Sequence, residues 1–209
     1  MKKTRALNEK GQQKVKKICR AAARVFYRIG YLTANLDDIA AEAKMSKGGI
    51  YHYFSSKDEI LFFVLDNYMG LVLGALEPQL KELPPGEPKI EFIIKRHLEL
   101  YANHKEESKT LLHDSNCLSS KYRKRIAHKE REYLRIVVNA ISEYKWGKDG
   151  IKREEVTALA FLLFGMCNWC YNWYDPKGPI DVNAISRIIW TVFMKGISGY
   201  PEDGITKKN

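Results

Sequence analysis

The sequence predicts an all-α fold of about nine helices, in which a three-helix unit (residues 1–58) precedes a larger helical body (59–209). Three observations predict it. Apolar residues recur at three- and four-residue steps along most of the 209 positions. No segment shows the strict alternation of a half-buried strand. Breaks rich in proline and glycine at 83–88 and 175–179 cut the periodic stretches into helix-sized lengths.

The first helix carries Val15, Ile18, Cys19, Ala22, Val25, Phe26 and Ile29 toward a core and Lys14, Lys16, Lys17, Arg20, Arg24 and Arg28 around the rest, and Gly30 ends it. After the link 31–34, Asn35 caps a second helix running to about Ala43. Asp38, three residues on, is a box-like partner and places a carboxylate near the positive helix end. Ser46 caps a short third helix across Lys47, Gly48, Gly49, Ile50, Tyr51, His52, Tyr53 and Phe54. The paired glycines would each weaken an isolated helix by about 1 kcal/mol relative to alanine. Small residues there let the backbone approach another surface closely. Ser56, with Glu59 as capping-box partner, starts a long helix to about Leu76, and Pro78 marks the next break. Further helices are expected at about 89–105, 107–114, 119–144, 152–174 and 181–197, with 199–209 as a frayed tail.

The chain carries a net charge of +10, and residues 1–58 hold thirteen bases against five acids. That concentration points to a polyanionic partner, nucleic acid or an anionic membrane surface. The uncharged run 156–174 approaches the length of a bilayer span, but Asn168 and Asn172 inside it argue for a helix buried in protein, so no membrane partner is expected. The first thirty residues are basic and amphipathic without a continuous apolar core. No secretory leader is therefore expected, and the four cysteines are expected reduced, in the cytoplasm.

Three helices within about 45 residues, with a tight link before the third, form the geometry that places a recognition helix in the major groove of DNA. The residues go further: Gly30-Tyr31, then Leu36-Asp37-Asp38-Ile39-Ala40-Ala41-Glu42-Ala43, then Ser46 through Phe54, then Lys57-Asp58-Glu59-Ile60-Leu61. This run resembles the signature of the TetR family of bacterial transcriptional regulators along its whole length of about fifty residues. The resemblance implies an N-terminal helix-turn-helix that binds a palindromic DNA operator as a homodimer, and a C-terminal body that binds an effector and dimerises. Two positions depart from it. Ala34 stands where threonine is common, so a phosphate contact shifts to Asn35 or Thr33. Lys44 stands where glycine is usual, at a cost of about 1 kcal/mol if that position is left-handed.

The expected DNA-binding residues are Asn35, Ser46, Lys47, Gly48, Gly49, Tyr51, His52, Tyr53 and Lys57. Lys47 and the glycines would lie against base edges, with lysine donating to guanine O6 and N7. Tyr51 offers its ring to a thymine methyl or its hydroxyl to the backbone, while His52, Tyr53 and Lys57 are placed for phosphate. Packing of the tyrosines and a plain surface role for His52 remain open alternatives, and Ile50 and Phe54 are expected to face inward. The stretch Lys2 to Lys17 either adds contacts along the adjacent backbone and minor groove or contributes charge alone.

In the body, Phe161, Phe164, Gly165, Ile185, Ile189, Val192 and Phe193 are expected at a dimer interface, being too apolar for one small body to bury easily. The stretch 165–178, rich in tryptophan and asparagine, resembles the TetR subgroup that controls fatty-acid and sterol catabolism through acyl-CoA thioesters. On that resemblance the effector is a small hydrophobic or acyl-CoA-type molecule and its binding releases the operator. Asn168 and Asn172, four apart, would share a face and bond a ligand carbonyl beside Trp169 and Trp173. Phe62, Tyr68, Met69 and Tyr101 would line an acyl cavity or fill it, and cations from Lys121 to Arg131 would meet phosphates. The alternative is a helical DNA-binding protein with no small-molecule effector.

No enzyme is expected, nor a cofactor or metal. Cys167 and Cys170 have redox or zinc-pair spacing but lie in an apolar helix without a second pair, and His97, His104, His113 and His128 are scattered. No glycine-rich phosphate loop or nucleophile elbow appears.

Overall fold

The computed structural model describes residues 8–145 and 151–199; the basic stretch before Asn8, residues 146–150 and the tail from residue 200 lie outside them. Among the described residues the structure is all helical, as expected. The chain divides into two compact units, Met1–Leu71 with His104–Lys129, and Val72–Asn103 with Glu130–Asn209. The sequence boundary at 58/59 follows the motif, whereas compactness gathers later helices with the N-terminal ones.

The first unit begins with α1 (Glu9–Ile29), α2 (Leu36–Ala43), α3 (Lys47–Tyr51) and α4 (Lys57–Leu73). Asn8 caps α1 by accepting from the Gly11 N–H, and Gly30 ends it at φ 78°. Asn35 and Asp38 make the full reciprocal capping box of α2. Ser46 caps α3 by accepting from the Gly49 N–H at 3.1 Å. Ile18, Ala22, Phe26, Ile39, Ile50 and Phe54 are fully enclosed and lock the three helices together.

The C-terminus of α2 is closed by a left-handed residue. Lys44 sits at φ 49°, ψ 54°, its N–H bonds to the Ala41 carbonyl at 3.0 Å, and the Met45 N–H bonds to Ala40 at 2.9 Å. This double closure normally uses glycine, because a Cβ is crowded in the left-handed region. Lys44→Gly is therefore expected to stabilise the protein by about 1 kcal/mol, read as a higher urea midpoint at unchanged m-value; an equal or lower midpoint would contradict it.

At the start of α4, Ser56 Oγ accepts from the Glu59 N–H at 3.0 Å. The expected reciprocal bond is displaced by one residue: the Glu59 carboxylate accepts from the Ser55 N–H at 2.7 Å and from its hydroxyl at 2.6 Å. The unit is completed by the helix Lys105–Asp114 and by 3-10 residues Ser115–Cys117. It also takes in the first part of the helix Ser120–Lys145.

The second unit contains α5 (Leu76–Lys81) and α6 (Glu87–Asn103), while α7 (Lys105–Asp114) and most of the first turns of α8 (Ser120–Lys145) belong to the first unit. α9 (Arg153–Trp169), 3-10 residues Cys170–Asn172 and α10 (Val182–Ser198) follow. The break expected at Pro78 lies earlier. Ala75 turns left-handed at φ 56°, and the Arg96 guanidinium donates to the exposed Gly74 carbonyl at 2.7 Å. Pro78 falls in the first turn of α5, where its missing N–H has no intrahelical acceptor to lose. This break separates α5 from α4 and, among the described residues, makes ten helices of the expected nine. The helical stretch Lys57–Lys81 is also long and apolar enough to cross a membrane, and 56% of its most apolar window is buried inside the protein, as in a core helix.

Candidate nucleic-acid interface and effector site

Within the first unit, α3 turns one side inward and leaves the other open. Ile50 and Phe54 are buried, as read from the sequence, and Tyr51 is 52% exposed. Ser46, Lys47, Gly48 and His52 are exposed, while Gly49 and Tyr53 are half-buried. The two glycines differ. A Cβ at Gly49 would lie 3.3 Å from Ser46 Oγ and 3.4 Å from Met45 Cε, so the N-cap partly explains it; a Cβ at Gly48 would meet nothing within 4 Å. Nothing in the fold itself demands glycine at 48.

Lys47 Nζ pairs with Asp37 Oδ2 at 2.8 Å, both side chains being about half exposed or more. The Asp37 hydrogen bond and charge raise the Lys47 pKa. An exposed pair of this kind contributes little to stability, so it is readily exchanged for another acceptor. His52 and Tyr53 pack edge to face at 4.9 Å. Asn35 spends its Oδ1 on the Asp37 and Asp38 N–H groups at 2.8 and 3.0 Å.

Lys57 has a different place from the one expected. Its ammonium donates to the carbonyls of Tyr31 and Ala34 at 2.7 Å each and approaches that of Leu32 at 3.4 Å. It also lies 4.3 Å from the Tyr31 ring centroid. An ammonium has three donors, and here they hold the α1–α2 link closed rather than face outward for phosphate.

In the second unit the polar centre is one that the sequence did not reveal. Asn168 Oδ1 accepts from the Tyr101 hydroxyl at 2.5 Å and from His97 Nε2 at 3.0 Å. Because an amide oxygen only accepts, His97 carries its proton on Nε2, and Nδ1 accepts from the Tyr133 hydroxyl at 2.8 Å. Phe164 stacks on both His97 and Tyr133, at 5.9 and 5.3 Å. Burial drives the His97 pKa down to about 4 against the smaller opposing effect of Asn168. The four-residue spacing of His97 and Tyr101 on α6 was the available signal.

Of the residues expected around an effector, this centre gathers Tyr101 and Asn168. Asn172 does not join them, because α9 gives way to 3-10 geometry at Cys170 and the shared helical face ends there. Asn172 is exposed and donates weakly to the Trp169 carbonyl at 3.4 Å; Trp169 and Trp173 are 66% and 52% exposed. Phe62, Tyr68 and Met69 belong to the other unit. There Phe62 stacks on Tyr122 at 4.4 Å with the Arg125 guanidinium over its ring, Tyr68 shares a 2.7 Å hydrogen bond with Ser108, and Met69 is buried. Among the cations of α8, Lys129 is committed to Asp66 at 2.7 Å.

The expected dimer residues also separate into two groups. Phe161, Gly165 and Val192 are exposed, together with Leu162, Met166, Trp169 and Ile188. Ile185, Ile189 and Phe193 are buried within the chain, in a helix that packs against α6 and α9, and Phe164 is taken up by the His97 stack. α10 is apolar on two sides, and one of them belongs to this chain's own core. Cys167 and Cys170 are both buried, and burial raises both thiol pKa values, which disfavours the thiolate that redox or metal chemistry needs.

A family model described as bacterial regulatory proteins, tetR family, matches residues 18–63, and one described as tetracyclin repressor-like, C-terminal domain, matches residues 84–197. The fatty acid metabolism regulator protein of Bacillus subtilis (strain 168) is 24% identical over 189 residues, covering 88% of this chain and 95% of that protein. The HTH-type transcriptional repressor SCO4008 of Streptomyces coelicolor is 30% identical over 160 residues, covering 73% of this chain and 76% of that protein. The crystal structure of AibR in complex with isovaleryl coenzyme A and operator DNA superposes with a TM-score of 0.72 at 23% identity, over 92% of this chain and all of that one.

Proposed function

This chain belongs to the TetR family of bacterial regulatory proteins, and from that premise we propose that it is a transcriptional repressor that binds a palindromic operator as a homodimer and is released by an acyl-CoA-type effector. The observation that carries the reading is α3. Its inner side is anchored by Ile50 and Phe54, and its outer side presents Ser46, Lys47, Tyr51 and a Gly48 for which the fold gives no internal reason. In this reading Lys47 exchanges Asp37 for a base edge, Asn35 and His52 hold phosphates, and Gly48 lets the helix backbone lie close to the bases.

The homodimer forms through the exposed apolar side of α9 and α10, where Phe161, Gly165 and Trp169 are joined by Ile188 and Val192. The effector is read in the second unit, with Asn168 and Tyr101 as the groups that meet its carbonyl. The named ligand of AibR and the named role of the Bacillus subtilis relative support a thioester of coenzyme A as its class. Ligand acts by binding better to a conformer whose two recognition helices are wrongly spaced, which shifts the population away from DNA.

Titration of the protein–operator complex with short- and long-chain acyl-CoA thioesters, read by electrophoretic mobility, tests the reading. Release by one of them at a concentration that also raises the melting temperature of the free protein is expected. Tight DNA binding indifferent to every thioester would instead favour a DNA-binding protein with no effector of this class.

A further inference from the structure

Lys57 is a cation at the unfavourable end of its own helix. It is the first residue of α4, where the helix dipole disfavours positive charge, and its ammonium turns instead to the link that follows α1. There it donates to the Tyr31 and Ala34 carbonyls at 2.7 Å each, with the Leu32 carbonyl at 3.4 Å and the Tyr31 ring centroid at 4.3 Å. Tyr31 and Ala34 are both buried, and the Tyr31 ring packs edge to face on Phe26 at 5.4 Å. The link is therefore a docked segment whose carbonyls need internal donors.

The Ala34 carbonyl has the widest consequence. It shares one planar peptide unit with the Asn35 N–H, and that N–H donates to Asp38 Oδ2 at 2.9 Å. Peptide 34–35 is thus gripped on both edges, by Lys57 from α4 and by Asp38 from α2. Asn35 is the N-cap of α2, so Lys57 holds the peptide from which α2 departs. The same residue begins α4, and α2 and α3 both lie between these two points in the chain. One ammonium closes the segment 35–57 at its two ends, with the recognition helix inside it.

We propose that Lys57 is a positioning residue for operator recognition: it sets the departure of α2, and through α2 the aim of α3, without touching the DNA. The proposal rests on the repressor reading. A phosphate contact adds to affinity for any duplex and steepens its salt dependence. A residue that aims α3 adds instead to the preference for the operator.

The experiment is fluorescence-anisotropy binding of the full-length chain to two duplexes, one selected by the wild-type chain from a random pool and one of random sequence, each at several salt concentrations. Lys57→Met keeps the straight apolar stem and removes the three donors. It is expected to weaken binding to the selected duplex by about tenfold or more, the scale of one lost base contact, and to keep the wild-type slope of log K against log salt on both duplexes. Lys57→Arg retains the charge but replaces three rotatable donors with a rigid planar fork. It is expected to lose the same preference, and it carries the test if the methionine variant does not fold. A slope lowered by about 0.9 in Lys57→Met on both duplexes, an unchanged preference for the selected duplex in that variant, or wild-type affinity for it in Lys57→Arg overturns the proposal and leaves the repressor reading intact. A wild-type chain that selects no duplex overturns both.

Discussion

Gly48→Leu is expected to leave the protein folded and to weaken operator binding on the order of 100-fold. A side chain at position 48 meets nothing within 4 Å, so the free protein has no steric reason to object. Leucine is also the better helix former by about 0.8–1.0 kcal/mol, and the melting temperature should hold or rise. The penalty appears only when another surface arrives. A leucine on the outer side of α3 lifts the helix off the bases, and two base contacts at about 1–3 kcal/mol each amount to roughly 100-fold or more. Operator titration beside thermal melting measures both effects. Unchanged affinity would mean that α3 does not lie against the bases as described, and a large fall in melting temperature would mean that Gly48 serves the fold after all.

Asn168→Leu is expected to have the largest effect on stability. It removes the acceptor of two hydrogen bonds at once, those from His97 Nε2–H and the Tyr101 hydroxyl, at about 1–3 kcal/mol each. For a chain of this size the melting temperature should fall by roughly 5–15 °C. The same cluster imposes a pH dependence. His97 titrates near 6.5 in the unfolded chain and near 4 when folded, so as pH falls the unfolded state takes up the proton first. The stability tied to neutral His97 is complete above pH 6.5 and is lost progressively between 6.5 and 4, by about 3 kcal/mol at most. Urea unfolding across that window should show His97→Gln flatter than wild type by up to one proton. Parallel curves would place His97 in a solvated setting, contrary to the geometry.

These two sites differ in how far the sequence revealed them. The helix-turn-helix unit was legible because its signals are local. Gly30, the Asn35–Asp38 box and the Ser46 cap each act within four residues, and the inward turn of Ile50 and Phe54 follows from helical spacing. Lys57 escaped because its partners, the carbonyls of Tyr31 and Ala34, are more than twenty residues away in the chain. The His97 centre escaped for the same reason, joining residues 36 and 71 positions apart.

Elsewhere the spacing itself misled. Asn168 and Asn172 share a face only if the helix continues, and it changes form at Cys170. Pro78 reads as a break, yet a first helical turn accommodates it, and the interruption came instead from a left-handed Ala75. On α10, Ile185, Ile189 and Phe193 are as apolar as Ile188 and Val192. Periodicity names both stripes without saying which one the chain keeps for itself.

Selection of bound sequences from a random duplex pool by the full-length wild-type protein tests the central claim most directly. A pair of outward-facing α3 helices predicts enrichment of an inverted repeat whose half-site centres lie about one helical turn, or a whole multiple of it, apart. An unenriched pool, or a lone half-site without its inverted mate, would contradict the account.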